Sequence, residues 1–207
     1  MTFDEDLAFR QSDEQGEEYN ARADVYRLLA ALLASPPGEE VLRIIRNFEV
    51  PSAEDDNSLM NSWKMLKQVA EESQPEQLED EYFNLFIGLG KGEISPYASW
   101  YLTGFLMEKP LAELRTELAR LGFCRPEKVR EPEDHAAALC EVMGVIIGDS
   151  VLSFEEEKAF YFRYISPWMA RFFDDLNEAQ SAKFYKPVAR LGRQFIDIEQ
   201  QYFSMSH

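Results

Sequence analysis

The chain is poor in cysteine and histidine. Its 207 residues include two cysteines, Cys124 and Cys140, and two histidines, His135 and His207. Two cysteines without Cys-x-x-Cys spacing cannot build a disulfide framework, and this pattern is typical of a reducing compartment. The sequence also lacks the Glu-x-x-His pairs of di-iron bundles and any motif for an activated serine or cysteine nucleophile. We therefore predict no catalytic residue, no metal site and no cofactor.

Positive charge is scarce as well. Lys and Arg number 21 against 38 Asp and Glu, which gives a formal net charge of −17. Because basic side chains supply most of the affinity for phosphate backbones and anionic lipids, nucleic acids and membrane surfaces are excluded as expected partners. The acidic surface either attracts a cationic partner or simply keeps the protein soluble.

Long apolar runs are absent too. No uncharged stretch approaches the roughly 20 residues that a membrane helix needs. The N-terminal residues Met-Thr-Phe-Asp-Glu-Asp have neither the basic start nor the apolar centre of a signal peptide. We expect a cytoplasmic protein without stable membrane insertion.

What the chain does have is helical periodicity nearly throughout. Ser153 and Glu156 have the spacing of a capping box. No segment alternates with a period of two for long enough to indicate a strand. Two representative apolar stripes comprise Val25, Leu28, Leu29, Leu32 and Leu33, and Phe184, Val188, Leu191, Phe195, Ile198 and Tyr202. The sequence predicts an all-α fold of about nine or ten helices in one bundle-like domain.

Prolines and charges suggest an internal division. We predict a mobile acidic N-terminus over residues 1–16, a helical subdomain over 17–123, a hinge over 124–133 and a second helical subdomain over 134–207. A hinge between halves that share an interface permits domain swapping, so the protein is expected as a monomer or a domain-swapped dimer.

Two stretches on either side of the middle carry the unusual composition. The first contains Glu81-x-x-x-Leu85-Phe86, a Gly-rich spacer and Pro96-Tyr97-x-Ser99-Trp100-Tyr101; the second is Glu131-Pro132-Glu133-Asp134-His135. By local physics the second stretch is a helix start, with proline and acids in the first turn. The aromatics from Tyr97 to Tyr101 cannot all face one core, and we expect a short helix from Ala98 to Met107.

These stretches resemble the signatures of the TorD/DmsD family of cytoplasmic molybdoenzyme chaperones, also called redox enzyme maturation proteins. The first signature falls on Glu81, Leu85, Phe86, Pro96, Tyr97, Ser99 and Tyr101. The second falls on Glu131, Pro132, Asp134 and His135. The resemblance implies that the partners are the twin-arginine leader and the apo form of a molybdopterin enzyme, which the chaperone holds during cofactor insertion while preventing premature export.

The resemblance also implies where the leader binds. The leader-binding positions are Leu85, Phe86, Pro96, Tyr97, Tyr101, Pro132, Asp134 and His135. Glu81, Glu131 and Asp134 are candidate partners for the leader's arginines, because carboxylates accept guanidinium groups bidentately. We expect the apolar part of the leader to be buried on Phe86 and Tyr101.

Two other functions fit parts of the sequence. A helical adaptor or regulatory module could bind another basic amphipathic peptide through the same groove. A small Mg²⁺-dependent prenyl-diphosphate enzyme could use Asp174, Asp175 and Glu178, whose spacing matches one acidic motif of that class, although the second acidic motif is missing.

Overall fold

The computed structural model describes residues 21–48, 58–125, 130–149 and 152–205, and in these ranges the regular secondary structure is helical. We number its ten α-helices in chain order: α1 over 21–34, α2 Glu39–Asn47, α3 Ser58–Glu72, α4 Pro75–Tyr82, α5 Ala98–Thr103, α6 Lys109–Arg120, α7 Ala136–Gly148, α8 Phe154–Phe160, α9 Met169–Glu178 and α10 Tyr185–Met205. The described residues form no strand, and the all-α prediction is confirmed.

Two of the helices continue into a wider π-helical turn. The turn Phe83–Ile87 follows α4, and the turn Tyr161–Ile165 follows α8. Such turns are rare and often lie near functional sites, because they change the direction in which side chains project. The first of them falls within the first signature.

A single hydrophobic core joins the two predicted subdomains. The largest fully buried side chains come from both halves of the chain: Trp168, Tyr26, Tyr161, Tyr185, Phe172, Phe173, Phe184 and Phe203. The 21-residue helix α10 packs against both α9 and α3. The predicted acidic N-terminus lies outside the described residues, as does the central part of the hinge, so the subdomain boundaries stay predictions.

A buried cluster of ion pairs links α1 to α8 and α10. The Arg22 guanidinium donates to Glu199 on α10, with Nε–Oε1 at 2.6 Å, and to Glu157 on α8, with Nη2–Oε1 at 2.7 Å. Burial raises the pKa of Glu157, and Arg22 beside it acts in the opposite direction. The Arg22, Glu157 and Glu199 side chains are all buried. Removing the cation would therefore leave buried carboxylates without an opposite charge.

Several helix ends differ from the sequence predictions. Helix α5 stops at Thr103, where Gly104 takes the left-handed conformation (φ 81°), and does not extend to Met107. Helix α7 begins at Ala136, with His135 as its N-cap, so the acids before it form a turn instead of the first helical turn. The capping box of Ser153 and Glu156 is present as predicted.

No helix in the described part of the chain is both long enough and apolar enough to cross a membrane.

Candidate functional site

The two signature stretches meet through their backbones. Ala98 donates its N–H to the carbonyl of Asp134 at 2.9 Å, and Ala136 donates to the carbonyl of Pro96 at 2.8 Å. These bonds form an isolated antiparallel bridge between Tyr97 and His135. The bridge fixes the start of α5 beside the start of α7, which brings the two signatures into one site.

A cavity of about 230 Å³ opens at this junction, and we call it the motif cavity. It is lined by Tyr97, Ser99, Leu106, Met107, Arg130, Glu131, Pro132 and Asp134. Four of the sequence-predicted residues are therefore brought together here: Tyr97, Glu131, Pro132 and Asp134.

Two buried polar groups of the motif cavity have unused hydrogen-bonding capacity. Asp134 Oδ2 accepts the backbone N–H of Ser99 at 2.9 Å, which caps the short helix α5. Asp134 Oδ1 and Ser99 Oγ have no hydrogen-bond partner within the described residues, although both side chains are almost fully buried. A buried polar group without a partner costs about 1–3 kcal/mol, and a ligand that donates to these oxygens would remove that cost while desolvating its own donor.

Charges around the cavity leave it net negative. Its lining contains two carboxylates, Glu131 and Asp134, and one guanidinium, Arg130. The Tyr97 hydroxyl donates to Glu131 Oε2 at 2.5 Å. Burial of Tyr97 and this hydrogen bond raise the pKa of the phenol, so it remains a donor at neutral pH.

His135 packs against Tyr97, one of the residues that line the motif cavity. Its ring packs edge-on against Tyr97, with the ring centroids 5.1 Å apart. Its Nδ1 accepts the N–H of Ala137 at 3.1 Å and so caps α7. Burial lowers the pKa of His135, against the opposing effect of Glu131 and Asp134. The ring is buried and its Nδ1 is used in the bond to Ala137, and contact of His135 with a leader stays a prediction.

Leu85 and Glu81 lie away from the motif cavity. Leu85 is fully buried in the core and offers no surface to a peptide. The Glu81 carboxylate accepts backbone N–H bonds from Lys183, Phe184 and Tyr185, at 2.7, 3.2 and 2.9 Å. Glu81 therefore caps the start of α10, which the sequence did not suggest, and its assignment as an arginine partner stays a prediction.

Phe86 and Pro96 are also held by internal contacts. The half-buried Phe86 packs edge-on against Tyr185, with centroids 5.3 Å apart. Pro96 is buried and contributes its carbonyl to the bridge. Neither residue lines the motif cavity.

The three aromatics of the first signature point in three directions, as their spacing predicted. Tyr97 lines the motif cavity. The Lys91 ammonium lies over the Trp100 ring, with Nζ 4.2 Å from the ring centroid. Tyr101 packs on Trp168, with centroids 5.5 Å apart, and donates to Asp175 Oδ2 at 2.9 Å. Tyr101 is thus tied to α9 and takes no part in the cavity lining.

In the acidic motif of the alternative Mg²⁺ enzyme, each carboxylate contacts a different partner. Asp174 pairs with Arg193 at 3.1 Å, Asp175 accepts from Tyr101, and Glu178 accepts from the neighbouring Asn177. Across the described ranges, no group of three or more His, Cys, Asp and Glu side chains is arranged to hold a metal ion. The geometry gives the Mg²⁺ hypothesis no support.

The sequence analysis missed the apolar segment that follows α5. Phe105, Leu106 and Met107 are exposed, and the last two line the motif cavity. The helix predicted from Ala98 to Met107 included all three. Gly104 was the available signal, since glycine just after a helix favours the left-handed conformation that ends it.

Comparisons with known proteins identify the family. The model of the nitrate reductase delta subunit family matches residues 52–174, which is more than half of the chain. Chaperone protein TorD from Vibrio atlanticus is 26% identical over 205 residues, covering 88% of this chain and 94% of that protein. Chaperone protein TorD from Shewanella loihica is 24% identical over 213 residues, with 92% and 96% covered.

A solved structure shares the fold. The protein, from Archaeoglobus fulgidus, was described as a candidate redox enzyme maturation protein, and it superimposes with a TM-score of 0.57 at 20% identity. The match covers 85% of this chain and 93% of that one. The chain therefore belongs to the nitrate reductase delta subunit family, and its sequence resemblance to the TorD/DmsD chaperones is confirmed.

Proposed function

We propose that this protein is a cytoplasmic chaperone, not an enzyme, that binds the twin-arginine leader of a molybdoenzyme. It holds the apo form of that client while the molybdenum cofactor is inserted, and it delays export until insertion is complete. Membership of the family and the similarity to TorD chaperones support this function.

The observation that carries the proposal is the convergence of the two signatures on one acidic cavity. Glu131 lies exposed at the cavity, and Asp134 lies deeper with one carboxylate oxygen unpaired. A guanidinium carries five N–H donors in a planar fork, which suits this pair of carboxylates. The Tyr97 ring offers an aromatic surface on which a guanidinium can stack.

The size of the cavity fits part of a peptide. Small-molecule sites usually enclose about 300–1,000 Å³. The motif cavity, at about 230 Å³, has room for one long side chain. Asp134 Oδ1 and Ser99 Oγ are shielded from solvent, so a side chain that binds them must enter the cavity and leave water behind.

Charge and apolar contact have different tasks in such a complex. Exposed ion pairs contribute only about 0.2–1 kcal/mol each, so Glu131 mainly speeds and orients the encounter with a cationic leader. Most of the affinity comes from apolar burial and from hydrogen bonds to the buried acceptors.

Calorimetric titration with twin-arginine leader peptides, each beside its twin-lysine variant, tests the proposal. Binding of one leader, weakened by the lysine change, would support the proposal and identify the client. Equal binding of both variants would favour the adaptor alternative, because a lysine ammonium supplies charge without the planar fork. If no leader binds the folded protein, the proposal is wrong.

A further inference from the structure

The segment after α5 exposes an unusual concentration of apolar surface. Leu102, Phe105, Leu106 and Met107 are exposed by 43%, 68%, 48% and 73%, and we call these four residues the apolar strip. No other six-residue stretch of the described chain exposes four large hydrophobic side chains. Concentrated apolar exposure of this kind marks an interaction site more often than chance.

Local contacts hold the apolar strip in this exposed position. The Thr103 hydroxyl donates to the carbonyl of Ser99 at 2.8 Å and accepts the N–H of Phe105 at 3.2 Å. Met107 has a φ of 59°, in the left-handed region that a residue with a bulky side chain rarely adopts. The chain thus maintains a strained conformation that presents Phe105 and Met107 to the outside, which is a common feature of binding sites.

The apolar strip is continuous with the motif cavity. Leu106 and Met107 belong to the strip and also line the cavity together with Glu131 and Asp134. Leu102 and Phe105 do not line the cavity, so the apolar surface continues beyond it. One surface therefore has an acidic end and an apolar end. A partner that matches both ends is a peptide with a basic group followed by apolar residues.

The net charge argues against a second copy of this chain as the occupant. Each copy carries a formal charge of −17, and a partner copy would bring further negative charge towards Glu131 and Asp134. Like charges facing each other across an interface oppose association. A cationic peptide meets no such repulsion.

From this geometry we infer that the apolar strip binds the apolar stretch that follows the arginine pair of the leader, and so sets the direction in which the leader lies. The inference rests on the proposed leader-binding function and adds to it the residues that select for apolar content. The arginine pair lies at Glu131 and Asp134, and the apolar stretch runs over Met107 and Phe105.

The test uses the full-length protein and two synthetic peptides. Both carry an adjacent Arg-Arg pair; in one the pair is followed by a stretch of leucine and alanine, and in the other by a stretch of serine and glycine. The protein variants are Phe105→Ser and Met107→Ser. Ile44→Ser is the matched control, because Ile44 is 56% exposed on α2 and does not line the cavity.

We expect each strip variant to bind the leucine-alanine peptide about tenfold more weakly than the wild type, since a large apolar side chain loses its contact. The serine-glycine peptide should bind weakly to all proteins and equally to the wild type and the strip variants. Ile44→Ser should leave both affinities unchanged.

The other outcomes distinguish failure of this inference from failure of the proposed leader-binding function. If the wild type binds the leucine-alanine peptide and the strip variants bind it equally well, the inference is wrong and the leader-binding function stands. If the strip variants alter only the oligomeric state in light scattering, the strip is a self-association surface and the inference is likewise wrong. If the wild type binds neither peptide but binds a leader of the calorimetric panel, the inference is wrong and the leader-binding function stands. If it binds no leader either, both fail.

Discussion

Asp134 accepts the backbone N–H of Ser99, 35 positions earlier in the chain, at 2.9 Å and so caps the start of α5. One oxygen of its carboxylate stabilises the fold, and the other has no hydrogen-bond partner within the described residues. Substituting asparagine separates these two roles, because the amide oxygen can keep the cap while the amide nitrogen replaces the free acceptor with a donor.

We expect Asp134→Asn to weaken leader binding by about ten- to a hundredfold, which corresponds to the roughly 1.5–3 kcal/mol of a hydrogen bond to a charged group. Thermal unfolding should change little. Asp24→Asn is the control, since it makes the same charge change on an exposed side chain of α1. Calorimetry that gives the two variants equal affinity would remove Asp134 from the site.

Arg130 opposes the approach of a cationic leader. It lines the motif cavity and is exposed, so its removal leaves the two carboxylates uncompensated. We expect Arg130→Gln to speed leader association several-fold at low salt, with the gain lost as salt screens the charges. Stopped-flow measurements should show a smaller effect for Arg43→Gln, an exposed position on α2. Equal acceleration by both variants would mean that only net charge matters.

Substitution of Glu81 distinguishes a helix-capping role from the predicted role as an arginine partner. Its carboxylate receives three backbone N–H bonds at the start of α10, so Glu81→Gln should lower the free energy of unfolding by about 1–3 kcal/mol. Leader affinity at a temperature where the variant is folded should stay unchanged. Glu79→Gln, at an exposed position of α4, the helix that also carries Glu81, should affect neither quantity. A loss of affinity without loss of stability would support Glu81 as an arginine partner.

His135 makes stability depend on pH. Burial lowers its pKa below the usual 6.5, so below that pH the unfolded chain binds a proton that the folded protein does not. The stabilisation is complete above pH 6.5 and is lost as the pH falls towards the folded-state pKa, with a slope of at most about 1.4 kcal/mol per pH unit. His135→Asn keeps a capping oxygen and removes the titration.

Urea unfolding between about pH 7 and pH 5 measures this effect. The wild type should lose stability more steeply than His135→Asn over that interval. Parallel profiles for the two proteins would show that another group is responsible.

Arg22 is expected to be essential for stability. Arg22→Met leaves Glu157 and Glu199 buried side by side without their cation, which should destabilise the fold by about 3–5 kcal/mol. Arg27→Met removes an exposed pair with Asp24 and should cost less than about 1 kcal/mol. Denaturant unfolding that gives both variants a similarly small loss would contradict this account.

The sequence by itself determined the fold class and the family. Apolar residues at helical spacing bury themselves only when the chain is helical, so the stripes in α1 and α10 were sufficient to predict an all-α protein. The Ser153 capping box was readable because its partners are three residues apart. The two signatures likewise identified the family before any contact was known.

Only the tertiary structure decided which signature residues form a site. Leu85 and Tyr97 belong to the same signature, yet Leu85 lies in the core and Tyr97 lines the motif cavity. Leu85 lies in a π-helical turn and Tyr97 in a backbone bridge, and the direction of each side chain depends on packing with distant residues. Glu81 caps a helix that begins 104 positions later at Tyr185, and Asp134 reaches back to Ser99. Such bonds join groups whose separation along the chain carries no periodic signal. The sequence supplied the chemical groups, and long-range packing decided which of them line the motif cavity.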